Sequence, residues 1–337
     1  ILPLLGVGGM ELYRAEVPGP TTTKLQPRIR ETARLLWRTY LLLTVAEILL
    51  LVIAGVGLFD ALNHAFTTVS TGGFSTKNAS IAAFDDPIIE TIFIFFMFLA
   101  GTSFSLHFAA AGRGLGVYIR DPEFRVYLVF IVAGWLIVTS SLFANAIYGV
   151  GDSFRYAAFQ VVSIITSTGY ANADFEVWRG IHALPAFTLF ALMLSGGSAG
   201  STAGGIKVVR IWMFLKQVVQ ELFRQVHPRA VIQLKLGGRV VPTEVQRSLT
   251  AFLLLYALLF VVGSLLLSAL GMDYVSSTTA AVSALSNIGP ALGSLGPYDN
   301  YAQVPMLGKW LLTVLMLVGR LEIFTVLVLF LPEYWRR

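Results

Sequence analysis

Six stretches of the chain, 36–58, 88–110, 126–150, 184–220, 248–270 and 310–331, are apolar over the length a helix needs to cross a bilayer. Hydrophobic residues make up 56% of the sequence and charged residues only 13%, about half the charged share of an ordinary soluble domain. A soluble fold of this size cannot hide so much apolar surface behind so few charges, and the same balance excludes disorder. An all-α integral membrane protein remains. With no cysteine present, a disulfide scaffold and a thiolate metal site are both excluded. His64, His107, His182 and His227 are scattered, without the paired spacing of a metal motif.

The fourth stretch is not a simple span. Its apolar run Leu184–Leu194 gives way to Ser195 and then to Gly196, Gly197, Ser198, Ala199, Gly200, Ser201, Thr202, Ala203, Gly204 and Gly205, with helical character resuming at Ile206. Such a break frees backbone groups that lipid cannot satisfy, so it must lie within protein or beside a water-filled cavity. The glycines superficially suggest a phosphate-binding loop. However, Ile206 precedes Lys207 and Val208 follows it, so the Gly-Lys-Ser/Thr ending fails, and the stretch follows an apolar helix where that motif needs a strand. The first residues, Ile1–Val7, read as the last turns of a helix that begins earlier, and are too short for a signal peptide.

Charge sorts the connections into two sets. Segments 11–38, 112–125, 207–247 and the C-terminal end carry 19 Lys/Arg against 8 Asp/Glu; segments 59–90, 151–183 and 271–309 carry 4 against 9. The positive-inside rule places the first set in the cytoplasm. A nucleic-acid interface is the weaker reading, because the basic residues flank helices in separate loops. Trp37, Trp178, Trp310 and Trp335 are expected as interfacial anchors.

Each acidic segment joins an incoming to an outgoing helix and contains a moderately apolar, half-length stretch: Asp60–Val69, Ser153–Ile165 and Tyr274–Leu285. Each stretch runs into a polar junction, and the three junctions align without gaps. Ser70-Thr71-Gly72-Gly73 matches Thr166-Ser167-Thr168-Gly169 and Ser286-Asn287-Ile288-Gly289. The organising unit is helix, short helix, polar loop, helix. A short helix ending partway down points its negative dipole end inward and favours a cation. Glycine then permits backbone angles that turn successive carbonyls toward one axis, and rings of carbonyls replace the hydration shell of an alkali cation. Neighbouring hydroxyls brace the loop or add ligands.

Two carboxylates and one guanidinium fall inside spans: Glu47, Glu322 and Arg320. Arg320 at mid-membrane costs at least ~2.5–3.5 kcal/mol on insertion scales, so it should face protein or water. Glu322, two residues on, points elsewhere on a helix, which leaves a structural ion pair between Arg320 and another helix open. Glu47 is expected as an interhelical hydrogen-bond partner rather than an ion ligand.

The chain resembles the membrane subunits of the Trk/Ktr/HKT superfamily of potassium transporters and channels, and most of all the bacterial Trk-type uptake subunit. The resemblance rests on Gly8–Pro20, Val69–Thr76, Thr166–Phe175, Gly196–Lys207 and Ser286–Pro290, in order and on the right spans. It implies repeated helix–pore-loop–helix units around one central ion pore, with three of the family's four repeats present. Residues 1–31 would be the end of a first-repeat inner helix and its linker, followed by the second repeat in 32–120, the third in 121–245 and the fourth in 246–337.

The resemblance further implies that the three junctions form a potassium selectivity filter, that Gly196–Gly205 obstructs the pore below it, and that Arg320 faces the pore beside that loop. Uptake of K+ across the bacterial inner membrane is the expected function, with K+ as permeant ion and no cofactor. A homodimer and a cytoplasmic nucleotide-binding regulatory subunit are the implied partners, with the basic loop 207–247 as the docking surface. A sodium-permeable or sodium-coupled relative is the alternative on the same scaffold. The remote alternative is an intramembrane enzyme, which needs converging nucleophile and base; only His107 near Ser103 and Ser105 comes close.

Overall fold

A computed structural model describes residues 29–229 and 233–335; the expectations placed on residues 1–28 lie outside them. The chain is helical almost throughout. Helix α1 (Ile29–Ile53) leads to a short helix α2 (Leu58–Val69), and α3 (Pro87–Ala100) descends to α4 (Phe104–Arg113) and a five-residue turn of helix, α5 (Gly116–Arg120). The unit then recurs as α6 (Pro122–Ala144), the short α7 (Val150–Ile165), a connecting α8 (Phe175–Ile181), and a pair α9 (Ala183–Ser195) and α10 (Val208–Val226). It recurs again as α11 (Thr243–Ala269), the short α12 (Tyr274–Ser286), α13 (Met306–Arg320) and the terminal α14 (Phe324–Leu327) and α15 (Pro332–Trp335).

Local chemistry sets the helix starts. Asp86 caps α3 by accepting from Ile88 N at 2.7 Å, and Asp121 caps α6 by accepting from Phe124 N at 2.8 Å; in each a proline follows at the first helical position, where no N–H is needed. Asp273 caps α12 in the same way, through Ser276 N at 3.0 Å.

Each half-length helix packs between the two long helices that flank it, α2 between α1 and α3, α7 between α6 and α9, α12 between α11 and α13. Two of them also meet the unit before: α3 packs on α7, and α9 packs on α12. The units therefore pack in sequence, the first on the second and the second on the third. Leu254, Leu258, Val261 and Leu265 of α11 are exposed, the surface a bilayer would cover.

Among the described residues, three helices are long and apolar enough to span a membrane: Ala33–Ile53, Pro122–Ala144 and Thr243–Ala269. The expected spans 88–110 and 310–331 are not continuous. Pro87–Ala100 and Phe104–Arg113 meet at 95°, and Met306–Arg320 and Phe324–Phe330 at 108°. All three descending helices are thus broken, where the sequence displayed only the glycine-rich break in the fourth span. The others are inconspicuous because they are short: Gly101-Thr102-Ser103, and Glu322 and Ile323 with φ of 62° and 42°. His107 bridges the first bend, its Nε2 2.9 Å from Leu99 O and its Nδ1 2.7 Å from Tyr118 Oη.

The basic stretch 207–247 is not a loop. It holds α10 and a two-stranded antiparallel hairpin, β1 (Lys235–Leu236) and β2 (Arg239–Val240). Trp178 is no interfacial anchor: it is fully buried and donates to Tyr148 Oη at 3.2 Å, whereas Trp37, Trp310 and Trp335 are exposed.

Candidate functional site

The three short helices end within one residue of equivalent positions, at Val69, Ile165 and Ser286, and the backbone beyond them follows one path three times. Thr71, Ser167 and Asn287, the second residue of each junction, have φ of 52°, 53° and 55°. This left-handed region is disfavoured for residues bearing a side chain. The fourth residue of each, Gly73, Gly169 and Gly289, has φ of 64°, 82° and 109°. The helix before each junction closes in the same way. Thr67 O accepts from Gly72 N at 2.7 Å, Ser163 O from Thr168 N at 3.0 Å, and Ser283 O from Ile288 N at 3.0 Å.

Successive junctions touch. A methyl group on Gly73 would overlap the carbonyl oxygen of Thr168 and lie 2.8 Å from its carbon; one on Gly169 would overlap the carbonyl oxygen of Ile288 and lie 3.0 Å from its carbon. Thr168 and Ile288 are both third residues. The same relation therefore carries the first junction onto the second and the second onto the third. Ile288 serves through its backbone, its side chain being buried.

The second residues point away from this contact, toward Gly196–Gly205 and α13. Thr71 Oγ1 donates to Thr202 O at 2.8 Å, Ser167 Oγ accepts from Gly204 N, and Asn287 Nδ2 donates to Met316 O at 3.2 Å. The glycine-rich segment thus lies directly beneath the junctions. Thr202 Oγ1 reaches Val69 O at 2.9 Å, and a methyl group on Gly204 would overlap the Ser286 carbonyl oxygen. Left-handed φ at Gly196, Gly200 and Gly205 (68°, 74° and 71°) folds the segment into this space.

Arg320 is the last residue of α13, and its Nη1 donates to Thr202 O at 3.0 Å, the carbonyl that Thr71 also uses. It forms no salt bridge among the described residues. Glu322 pairs instead with Arg210 at 2.6 Å. Glu123 Oε1 accepts from Ala199 N at 2.5 Å, and the buried Lys207 ammonium donates to Ala203 O. Cations hold the segment by its carbonyls and a carboxylate holds it by an amide, each in the polarity that strengthens the bond.

A family model described as cation transport protein, TrkH, matches residues 1–337. The chain belongs to the TrkH family. It is 48% identical over 340 residues to a Trk system potassium uptake protein TrkH of Halomonas elongata and 44% identical over 343 residues to that of Escherichia coli K12; each match covers 100% of this chain and 69% of the relative. The crystal structure of the potassium transporter TrkH from Vibrio parahaemolyticus superposes with a TM-score of 0.85 at 40% identity, over 99% of this chain and 68% of that one. The family is one of transporters, which removes the intramembrane-enzyme alternative. His107, its nearest candidate, is engaged in bridging a bend, while Ser103 Oγ pairs with Ser105 Oγ at 2.8 Å.

In this TrkH-family chain the structure also brings forward residues that the sequence did not single out. Thr67, Ser163 and Ser283 stand three places before each junction, and each hydroxyl donates to a carbonyl just past the glycine: Phe74 O at 2.8 Å, Tyr170 O at 2.6 Å and Pro290 O at 2.8 Å. The signal was present, since all three aligned stretches carry a hydroxyl there. His64 and Gln160, equivalent to each other on α2 and α7, reach the segments beyond the glycines, His64 through Ser75 Oγ at 2.9 Å and Gln160 through Asn172 Oδ1 at 3.1 Å. Tyr301 Oη caps Gly289 O at 2.6 Å. Glu47 is fully buried beside Thr68 of α2, an interhelical neighbour as expected, although neither carboxylate oxygen meets strict hydrogen-bond geometry among the described residues. Thr68 beside it spends its hydroxyl on His64 O at 2.7 Å.

Proposed function

We propose that this chain takes up potassium across the bacterial inner membrane through a pore whose selectivity filter is built from Ser70–Gly73, Thr166–Gly169 and Ser286–Gly289. The observation that carries this reading is the threefold recurrence of one strained backbone path beyond three half-length helices, with Gly73 and Gly169 each seated on the carbonyl of the next junction. Left-handed residues alternating with ordinary ones turn carbonyls to one side, and oxygens arrayed in this way replace potassium's hydration shell. The three short helices add their negative dipole ends. An outer face bearing 9 Asp/Glu against 4 Lys/Arg raises the local cation concentration.

In the same reading the repeats occupy 32–120, 121–245 and 246–337. Gly196–Gly205 is a steric gate beneath the filter, and Arg320 adds an electrostatic barrier to a departing cation. The basic segments face the cytoplasm. The chain works as a homodimer, and a cytoplasmic nucleotide-binding subunit engages 207–247. The names of the relatives support potassium uptake, and the charge asymmetry of the connections supports the orientation.

The test is rubidium and sodium flux into proteoliposomes of full-length protein carrying Gly169→Ser or Gly289→Ser. Loss of preference for rubidium over sodium is expected. Equal preference in wild type and both variants overturns the filter; a wild type that prefers sodium places the chain on the sodium-permeable branch.

A further inference from the structure

Beyond Gly169 the chain is held residue by residue, and one of these holds is ionic. Tyr170 O accepts from Ser163, Ala171 N donates to Ser80 Oγ at 3.2 Å, and Ala171 O accepts from Ile81 N at 3.0 Å. Asn172 then turns inward. Its Nδ2 donates to Glu90 Oε2 at 2.9 Å, and its Oδ1 accepts from Gln160 Nε2 at 3.1 Å. Gln160 Nε2 also reaches Ala173 O at 3.2 Å. Glu90 sits on α3, in the preceding unit, and is only 2% exposed. Arg155 Nε of α7 stands 3.6 Å from the same Glu90 oxygen. A carboxylate this buried is costly unless paired and hydrogen-bonded, and Asn172 supplies its one hydrogen bond among the described residues.

The other two junctions are held differently. The residue equivalent to Asn172 is Thr76 in the first, bonded to the partly exposed Asp60 of its own unit at 2.7 Å, and Leu292 in the third. Among the described residues the second junction alone ties this position, through a side chain, to a buried carboxylate of another unit; in the third, the buried exit is held one residue later, where Gly293 N donates to Glu176 Oε1 of the preceding unit at 2.5 Å.

We propose that Glu90 is a positioning residue for ion selectivity: through Asn172 and Gln160 it clamps the segment after Gly169 and so holds the Gly169 backbone against Ile288. This rests on the filter reading above. The clamp works through a hydrogen bond accepted by residue 90 and donated by residue 172, so the identity of each partner can be exchanged. Glu90→Gln keeps an acceptor for Asn172 and should hold the preference for rubidium over sodium within about twofold of wild type. Glu90→Ala should lower it about tenfold, because the amide of Asn172 loses its acceptor in a buried site. Asn172→Asp sets two carboxylates together and should lower it similarly. Combining Glu90→Gln with Asn172→Asp reverses donor and acceptor and should recover most of the loss, which general destabilisation does not predict.

Flux is measured in proteoliposomes of the full-length protein, with Gly169→Ser and Gly289→Ser alongside. If Gly169→Ser changes selectivity while Glu90→Ala and Asn172→Asp do not, the clamp is overturned and the filter stands. If Gly169→Ser and Gly289→Ser both leave selectivity unchanged, the filter reading fails and the clamp with it; if Gly169→Ser alone does, the clamp is overturned and the filter stands. Should Glu90→Ala not fold, the comparison of Asn172→Asp with the exchanged pair decides: no recovery in the pair overturns the clamp.

Discussion

Gly169→Ala tests the contact between successive junctions with one carbon atom. The added Cβ would lie 3.0 Å from the carbonyl carbon of Ile288 and 2.9 Å from Pro290 Cδ, on top of the Ile288 oxygen. Non-bonded heavy atoms rest about 3.5 Å apart, and the overlap with the Ile288 oxygen is the limiting one, so one junction must retreat by more than about 1 Å. Overpacking of this kind costs about 1–3 kcal/mol, and an L-residue held at the Gly169 φ of 82° costs ~1–2 kcal/mol more. The retreat falls on the carbonyls assigned to the ion. Losing ~1.4 kcal/mol of their discrimination corresponds to a tenfold fall in preference for potassium over sodium. The assay is competitive rubidium and sodium uptake into proteoliposomes, with folding checked by size-exclusion elution. Gly180→Ala is the control, because a methyl group there meets nothing within 4 Å. A folded Gly169→Ala protein with wild-type selectivity would refute the reasoning: the junction would then yield without moving the carbonyls, or the carbonyls would not face the ion.

Arg320→Ala, and separately deletion of 198–203, should raise basal rubidium uptake several-fold without altering selectivity; two folded variants that conduct no faster than wild type would show that the gate lies elsewhere. Arg320→Lys should keep much of the barrier if charge alone matters and lose it if the planar fork on Thr202 O is required. Ser163→Ala removes the hydroxyl that braces Tyr170 O and should cost about 0.5–1.5 kcal/mol of stability, read as a lower unfolding temperature in detergent. Hydrogen bonding from Thr76 and the nearby Lys77 hold the Asp60 carboxyl below its ordinary range. A depressed pKa means that the contribution persists above that range and is lost only as pH falls through the folded value, so acidifying the outer solution from about pH 7 to about pH 5 should leave the Thr76–Asp60 bond and the flux that depends on it unchanged. Neutralising Arg224, Arg229 and Lys235 together should weaken co-purification of the cytoplasmic subunit, as should added salt; binding that survives both moves the docking surface away from 207–247.

Composition and periodicity determined that this chain is a bundle of membrane helices, because apolar runs of bilayer length have no other stable solvent. The three short helices were legible almost to the residue, since each is a half-length, moderately apolar stretch ended by small polar residues and glycine. The junctions were legible because one pattern recurs three times and glycine marks where a side chain will not fit. The bends at Gly101 and at Glu322-Ile323 were not, because a break of a few residues hardly changes the hydropathy around it. Contact was also beyond the sequence. The bond from Arg320 to Thr202, the hold of Glu123 on Ala199, and the pairing of Glu322 with Arg210 rather than Arg320 join residues far apart in the chain. So does the clamp of Glu90 on Asn172. Charge and hydropathy say that such groups need partners inside a membrane; only the packing of one unit on the next decides which partners come within reach.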